Sequence, residues 1–287
     1  MIFKRLRILF AALLAATPVL YAQVLLTADG KTAPYTRIES TLGAPAETPD
    51  CSHPDFGPHI TQTMDSDLGH YVFVFNIHVH PDNDRCKNFD RQRVEIKTDG
   101  ASPDYLKGFL NDSVTFRWRF RLPQGFRPSN EFTHIHQIKA FDGDDSLPLI
   151  TLTPRSGSPN TLQLLHINSA DIPEVLARAN LTPFIGEWVE AYEKITYNTH
   201  GTYSIVIRRL KDGKPLFAYQ NKDIDLWRKN STVMRPKWGI YRSLKQQQDL
   251  RDEQVRFDRF CLAKGKDDCP AEQTLANAKP TTPPPTP

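Results

Sequence analysis

The stretch 187-EWVEAYEKITYNTHGTYSIVIRRLKDGKPLFAYQ-220 contains three runs of β-branched and aromatic residues that are separated by two short turn signals. Asn198-Thr-His-Gly201 lies between the first two runs, and Asp212-Gly213 lies between the second and the third. Residues of these types favour strands, and short Gly-containing turns join neighbouring antiparallel strands. The stretch therefore predicts three consecutive antiparallel strands.

Similar runs occur along most of the chain, whereas helical periodicity is scarce. The other predicted strands are 70–80, 91–98, 113–122, 132–141, 148–155, 161–168, 234–243 and 254–264. Only 171–180 and 244–253 have a helix-like pattern, so the chain lacks the strand–helix alternation that is typical of a parallel sheet. The sequence predicts an all-β sandwich of two antiparallel sheets, with 23–268 as one domain.

The two ends of the chain differ in composition from the rest. Residues 1–22 combine a basic start with a short apolar stretch and end on Ala22, which predicts a cleaved signal peptide and a secreted protein. Residues 269–287 are rich in Pro and Thr, which predicts a disordered tail. No run approaches the ~20 apolar residues of a membrane-spanning helix, so we expect no membrane partner.

Export would permit disulfide bonds, and the four cysteines fall into two groups along the chain. We expect the pairs Cys51–Cys86 and Cys261–Cys269. The net charge of +3 is too small to indicate a nucleic-acid partner, but it is compatible with a groove for an anionic polymer.

The predicted strand 91–98 has a charged side. Alternation along a strand places four ionic residues on one face, namely Arg91, Arg93, Glu95 and Lys97. The opposite face carries Gln92, Val94 and Ile96. An ordinary solvent-exposed strand face would have the same composition, so a binding face and a merely solvated face both remain possible for this strand alone.

Two other strands carry residues that can move protons. In 134-HIHQIK-139, alternation places His134 and His136 on one face. In 235-RPKWGIYRS-243, it places Lys237 and Tyr241 on one face, with a glycine between them that leaves room for close approach to the backbone.

Together these residue types suit the β-elimination of a uronic-acid polymer. Cations bind the uronate carboxylate and stabilise the charge that develops when the C5 proton leaves. Histidine accepts a proton near neutral pH, and tyrosine can donate one to the departing O4 oxygen. This chemistry requires no metal or organic cofactor.

Three of these strands resemble motifs of the jelly-roll polysaccharide lyases. Arg93-Val-Glu95-Ile-Lys97 resembles the R-[ST]-E-L-R strand of alginate lyases, and Lys237-Trp-Gly239-Ile-Tyr241-Arg242 resembles the K-x-G-I-Y-R strand of the heparin lyase I-like branch. His136-Gln137-Ile138 resembles their Q-I-H strand with the order changed. Residues 186–216 are similar to the tryptophan strand and back strands of concanavalin A-like jelly rolls.

The resemblance covers residues 60–264 and implies a concanavalin A-like jelly roll with an open concave cleft. It implies that Tyr241 is the catalytic acid, or acid and base together, and that His136 is the base or a carboxylate partner. The substrate-binding candidates are Arg93, Lys237, His134, Gln137, Glu95, Arg91, Lys97 and His80. It also implies a monomer that needs no cofactor and cleaves an anionic polysaccharide, with glucuronan or glycosaminoglycan-like chains ahead of alginate.

The resemblance departs from the family pattern at two places. The Q-I-H order puts its Gln and His on one strand face, but His136 and Gln137 are adjacent and would point to opposite faces of a regular strand. Unless a β-bulge intervenes, His134 is the alternative partner of His136. Val94 also replaces the usual small hydroxyl residue, which leaves the substrate preference open.

Other functional classes stay open. His78-Val-His80 and His134-Ile-His136 form two pairs of the kind with which cupin-like enzymes bind zinc or copper. A lectin-like carbohydrate-binding module uses the same fold class and needs no acid–base pair. A glycoside hydrolase normally carries its carboxylates on one strand face, a spacing that 187-EWVEAYE-193 lacks.

Overall fold

The computed structural model describes residues 23–271. The predicted signal peptide and most of the predicted tail lie outside the described residues. Within them the chain forms an eight-stranded and a six-stranded sheet, and all strand pairs inside each sheet are antiparallel. This confirms the predicted all-β sandwich. No helix in 23–271 has the length and apolar character of a membrane span.

The eight-stranded sheet forms one layer of the sandwich. Its strands are β1 (Gln23–Leu26), β2 (Ile60–Asp65), β3 (His70–Ile77), β5 (Ser113–Arg121), β10 (Val189–Thr196), β11 (Gly201–Arg209), β12 (Pro215–Ile224) and β14 (Glu253–Lys264). They lie in the order β12–β11–β10–β5–β14–β3–β2, and β1 also pairs with β14. The meander predicted from 187–220 is thus β10–β11–β12.

The six-stranded sheet forms the other layer. Its strands are β4 (Arg91–Lys97), β6 (Thr133–Ala140), β7 (Ile150–Arg155), β8 (Thr161–Ile167), β9 (Pro173–Asn180) and β13 (Met234–Ser243). They lie in the order β4–β13–β6–β7–β8–β9. The order matters for function because it makes β4, β13 and β6 neighbours.

The hydrophobic core lies between the two sheets, because alternation turns one face of most strands inward. In β13 the inward residues are Trp238 and Ile240, and both are fully buried. Phe116 of β5 meets Trp238 from the opposite layer, with ring centres 5.6 Å apart, and is also buried. Both predicted disulfides, Cys51–Cys86 and Cys261–Cys269, are present.

The two predicted helices are wrong. Residues 173–180 form strand β9, which pairs with β8 at the edge of the six-stranded sheet. Within 244–253 only Gln247–Asp249 forms a single 3₁₀ turn. The α-helix of the described chain, α1 (Pro34–Leu42), lies in the polar lead-in that gave no prediction. Pairing with a neighbouring strand overrides the weak local propensity in β9.

A register shift separates β13 from β6. Trp238 pairs with His136 and Tyr241 pairs with His134, so the two residues Gly239 and Ile240 face the single residue Ile135. On its other side β13 pairs regularly with β4. This is a β-bulge, and it reverses the alternation of β6 relative to β13.

Gly239 occupies the bulged part of β13 with a φ of 150°, in a region that favours glycine. A Cβ atom built there would lie 2.0 Å from the carbonyl oxygen of Val94. The backbone of β4 therefore approaches β13 too closely for any side chain.

We expect Gly239→Ala to lower the free energy of unfolding by at least about 2 kcal/mol, because it adds a backbone clash to an unfavourable φ. Urea denaturation would measure the change. Gly213→Ala is the matched control, since it also has a positive φ of 67° but no atom within 4 Å of the added Cβ. Equal losses in the two variants would contradict the proposed close approach.

Candidate active site

Three neighbouring strands bring Arg93, Tyr241 and His134 side by side. Arg93 of β4 pairs with Tyr241 of β13, which pairs in turn with His134 of β6. Because paired residues point to the same side of a sheet, all three side chains lie on the outer face of the six-stranded sheet, away from the core. This group forms the centre of the candidate site.

Tyr241 is half-buried and surrounded by cations. Its hydroxyl oxygen accepts a hydrogen bond from Nη1 of Arg91 at 3.2 Å. The guanidinium carbon of Arg93 lies 3.8 Å from the centre of the ring, within the range of a cation–π contact. A negative charge that develops on the hydroxyl oxygen would therefore be stabilised by two arginines.

His134 is half-buried beside the tyrosine. Its ring stacks on Phe132 with centres 5.0 Å apart and lies 6.0 Å from the Tyr241 ring. The buried Nδ1 atom has no hydrogen-bond partner among the described residues. Burial, and then the positive charges of Arg155 and Arg93, lower the pKa of His134 to about 3 although Glu95 opposes the shift. The imidazole is therefore neutral at physiological pH.

His136 does not face the site, and the prediction that it shares a face with His134 is wrong. The bulge turns His136 into the core, where it is fully buried and stacks on Trp238. Its Nδ1 donates to the carbonyl oxygen of Lys237, and its Nε2 lies 2.9 Å from Oε2 of Glu193 in the opposite sheet. His136 therefore links the two layers and cannot reach a substrate on the outer face.

A buried ion network lies next to the tyrosine. Nζ of Lys237 contacts Glu47 at 2.5 Å and Glu95 at 2.8 Å, and Nη1 of Arg93 contacts the same carboxylates at 2.9 and 3.1 Å. Lys97 also contacts Glu47, at 3.1 Å. Although burial opposes ionisation, Lys237 and Arg93 hold the pKa values of both carboxyl groups below their usual range.

Glu47 reaches this network from outside the sheet. It pairs with Glu95 through two backbone hydrogen bonds of 2.8 and 2.9 Å along the free edge of β4. On the same edge, Asn83 accepts a hydrogen bond from the backbone of Arg93, and Asp84 accepts one from its guanidinium at 3.2 Å. Two loops therefore fix the charged face of β4.

The structure separates the predicted substrate-binding residues into two groups. Lys237, Glu95 and Gln137 are buried, and the Gln137 amide donates a hydrogen bond to Glu95. These three residues therefore belong to the buried network that holds Arg93 in place. The half-buried members are Arg91, Arg93, Lys97 and His134. His80 is exposed in the loop after β3, where it contacts Gln247, and it is not part of the ion network.

Sequence analysis missed two cations on the outer face. Arg155 of β7 is half-buried, and its Nε has no hydrogen-bond partner among the described residues. Lys139 lies on β6, and burial together with the charge of Lys237 lowers its pKa to about 8. Alternation along 148–155 would have pointed to Arg155, but regular alternation from His134 puts Lys139 on the opposite face, and only the bulge brings the two together. Glu47 and Asp84 carry no such signal because they lie outside strands.

A cavity of about 750 Å³ lies on the other layer, lined by residues that include Asp67, Trp188 and Arg208. The lining includes none of the predicted site residues. The candidate site thus lies on the outer face of the six-stranded sheet, apart from this cavity.

Comparison with known proteins places the fold. No protein-family model and no curated protein matches the sequence. The endo-β-1,4-glucuronan lyase from the fungus Trichoderma reesei matches with a TM-score of 0.55 and 14% identity, over 83% of this chain and 94% of that chain. The marine PL-14 alginate lyase from Aplysia kurodai matches with a TM-score of 0.56 and 11% identity, over 84% and 98%.

A third solved structure, the alginate lyase from Klebsiella pneumoniae, matches with a TM-score of 0.52 and 16% identity, over 79% of this chain and 89% of that chain. The chain has the fold of the jelly-roll polysaccharide lyases. The resemblance seen in three strand motifs is thereby confirmed as a likeness of fold. Identities of this size establish the jelly-roll lyase fold and not the activity.

The low pKa of His134 makes the stability of this jelly roll depend on pH. Between pH 6.5, the usual pKa, and about 3, the unfolded chain binds a proton at His134 and the folded chain does not, so stability falls as the pH falls. When the pH is lowered from about 7 to about 4, we expect the free energy of unfolding to fall less in His134→Gln than in the wild type. The difference between the two should be at most about 1.4 kcal/mol per pH unit.

Thermal unfolding at both pH values would measure this difference. His200→Gln is the control, because the ring of His200 is 83% exposed and pairs with Asp223. An identical pH dependence in His134→Gln and the wild type would contradict the assignment of a neutral His134.

The ion network predicts a large effect at Glu47. Glu47→Gln leaves Lys237, Arg93 and Lys97 short of one buried carboxylate, so we expect a loss of roughly 3–5 kcal/mol in the free energy of unfolding. Urea denaturation measures the loss. The control Glu187→Gln breaks a more exposed pair with Lys211 and should change stability by about 0.5 kcal/mol or less. Losses of similar size in both variants would contradict a stabilising role of the ion network on the outer face of the six-stranded sheet.

Proposed function

We propose that the protein is a polysaccharide lyase that cleaves a uronic-acid polymer by β-elimination. The observation that carries the proposal is the grouping of the Tyr241 hydroxyl and the neutral His134 ring on one open face, with arginines on the same face. A tyrosine hydroxyl beside fixed cations serves proton transfer, and a pure sugar-binding module has no need of it. The lyase fold supports the same activity.

Tyr241 is the better base of the two. A side chain with a pKa of about 3 is a weak base at neutral pH, so His134 is poorly suited to remove the C5 proton. Arg91 lies where it stabilises an ionised Tyr241 oxygen, 3.2 Å away. Tyr241 therefore removes the proton and then returns one to the O4 oxygen as the glycosidic bond breaks.

His134 positions the substrate rather than carrying the proton. Its half-buried neutral ring lies 6.0 Å from that of Tyr241, where it can pack against the sugar at the cleavage site. The half-buried Arg155 and Lys139 are the cations available to bind the uronate carboxylate. Lys237 and Arg93 do not bind the carboxylate themselves, because they already contact Glu47 and Glu95. Their fixed positive charges instead stabilise the negative charge that develops during the reaction.

A single proton carrier restricts the stereochemistry. Tyr241 acts from one side of the sugar, so the C5 hydrogen and the O4 oxygen must lie on the same side of the ring. They do so in D-glucuronate and D-mannuronate, and they lie on opposite sides in the C5 epimers L-iduronate and L-guluronate. The substrate is therefore a glucuronate-type or mannuronate-type polymer.

The two disulfides fit an oxidising compartment. A polymer substrate is met outside the cell, which agrees with the predicted signal peptide. We therefore place the enzyme among exported proteins.

We expect Tyr241→Phe to lower the lyase rate by at least about 100-fold, because the variant has no group to carry the proton. Ultraviolet absorbance of the conjugated alkene at the new chain end measures the rate on glucuronan, polymannuronate, polyguluronate and heparan sulfate. Tyr192→Phe is the matched control, since the Tyr192 hydroxyl is bound to Asp268 on the other sheet and should not affect the rate.

The outcomes separate the proposed function from its alternatives. Alkene formation on glucuronan or polymannuronate, with little on polyguluronate, supports Tyr241 as base and acid. Polymer binding with no alkene from any substrate would indicate a lectin-like module. New reducing ends without an alkene would indicate a hydrolase.

A further inference from the structure

Three histidines and one aspartate converge at a place that the proposed lyase chemistry does not use. His53 and His59 lie before β2, and His78 and Asp82 lie in the loop that follows β3. Each side chain offers one nitrogen or oxygen, and these four atoms all lie within 4.8 Å of one another. Residues from two loops thus meet at one point.

The spacing fits one small cation. Oδ1 of Asp82 lies 2.9 Å from Nδ1 of His53 and 3.1 Å from Nε2 of His59, and Oδ2 lies 3.1 Å from Nδ1 of His78. Bonds of ~2.0–2.1 Å to a tetrahedral zinc ion place its ligand atoms ~3.3 Å apart. Because the four ligand atoms lie within 4.8 Å of one another, side-chain movements of up to about 1.5 Å would bring them to this spacing around the ion.

The surroundings hold the ligands in orientation. The second nitrogen of His59, Nδ1, lies 2.7 Å from Oδ1 of Asp50, and the Tyr35 hydroxyl donates to the same carboxylate at 2.8 Å. Metal-binding histidines are commonly held by a carboxylate in this way, because the outer contact fixes the ring. The backbone amide of His78 also donates to Oδ2 of Asp82, at 2.6 Å.

The site is buried on one side and reachable from the other. The side chains of His59 and Asp82 have no exposure, whereas those of His53 and His78 are 22% and 18% exposed. The ring of Phe56 covers the cluster, with its centre 4.2 Å from that of His78. An ion can enter from the solvent and is then shielded by an aromatic ring.

We propose that His53, His59, His78 and Asp82 bind one divalent transition metal ion, with zinc as the ion that fits best. Three imidazole nitrogens and one carboxylate oxygen suit zinc, whereas calcium and magnesium prefer oxygen ligands throughout. Four protein ligands complete a tetrahedral shell, which is typical of a structural rather than a catalytic zinc site. The ion would take no direct part in the lyase reaction.

The bound ion would stabilise the loop that supports the candidate active site. Asp82 is followed by Asn83 and Asp84, which bind the backbone and the guanidinium of Arg93. The Cys51–Cys86 disulfide joins the same two loops. The ion would thus fix the position of Arg93 from a distance, without touching a substrate.

The first measurement is the zinc content of the full chain with both disulfides formed, purified without a metal-affinity step. We expect about one zinc per chain by elemental mass spectrometry. Removal of the ion by a chelator should lower the Tm, and added Zn²⁺ should restore it, because a ligand that binds only the folded state stabilises that state. Co²⁺ added to the stripped chain should give the intense visible bands of a four-coordinate site.

Variants then locate the site. His53→Ala and His78→Ala should lose the zinc, and His200→Ala, an exposed histidine elsewhere, should keep it. If the two variants do not fold, Zn²⁺ titration of the stripped wild type decides the question alone. A stripped chain that neither binds added Zn²⁺ nor changes its Tm overturns the proposal and leaves a metal-free cluster of imidazoles around Asp82. Zinc retained in both folded variants overturns the assignment to these residues.

Discussion

The register shift between β13 and β6 determines which side chains can take part in chemistry. Because Gly239 and Ile240 face only Ile135, the two histidines of β6 point to opposite sides of the sheet. His134 joins Tyr241 on the outer face, while His136 enters the core and connects the layers through Glu193. In a regular ladder that kept Trp238 opposite His136, Tyr241 would pair with Thr133 instead of His134.

Charge balance is the second condition for the site. Three strand cations lie close together because Glu47, Glu95 and Asp84 neutralise them, as buried charges are tolerated when they are paired. They are Arg93, Lys97 and Lys237. The paired cations are rigid before any polymer arrives, so they need no rearrangement when negative charge develops. In the proposed lyase, the contacts to the substrate would fall to less constrained residues such as Arg155 and Lys139.

The strands could be predicted from the sequence, and much of the site could not. Alternation and turn residues located β4, β6 and β13, and correctly put Arg93 and Tyr241 on the outer face. The same rule misplaced His136, because a bulge depends on how two distant strands pair and leaves no local pattern. Glu47 and the cluster around Asp82 come from loops, whose contacts are set by the tertiary fold alone. The helix expected at 171–180 was wrong for the same reason, since strand pairing determines the backbone there.

The segment that contains Glu47 also covers the outer edge of its sheet. β4 is the last strand of its sheet, and such a strand usually presents unpaired amide and carbonyl groups to which another chain can add. Here Glu47 and Asn83 occupy that border through their own backbone. The residue that neutralises Lys97 and Lys237 thus also covers this edge, so we expect a shortened chain that began after Glu47 to aggregate.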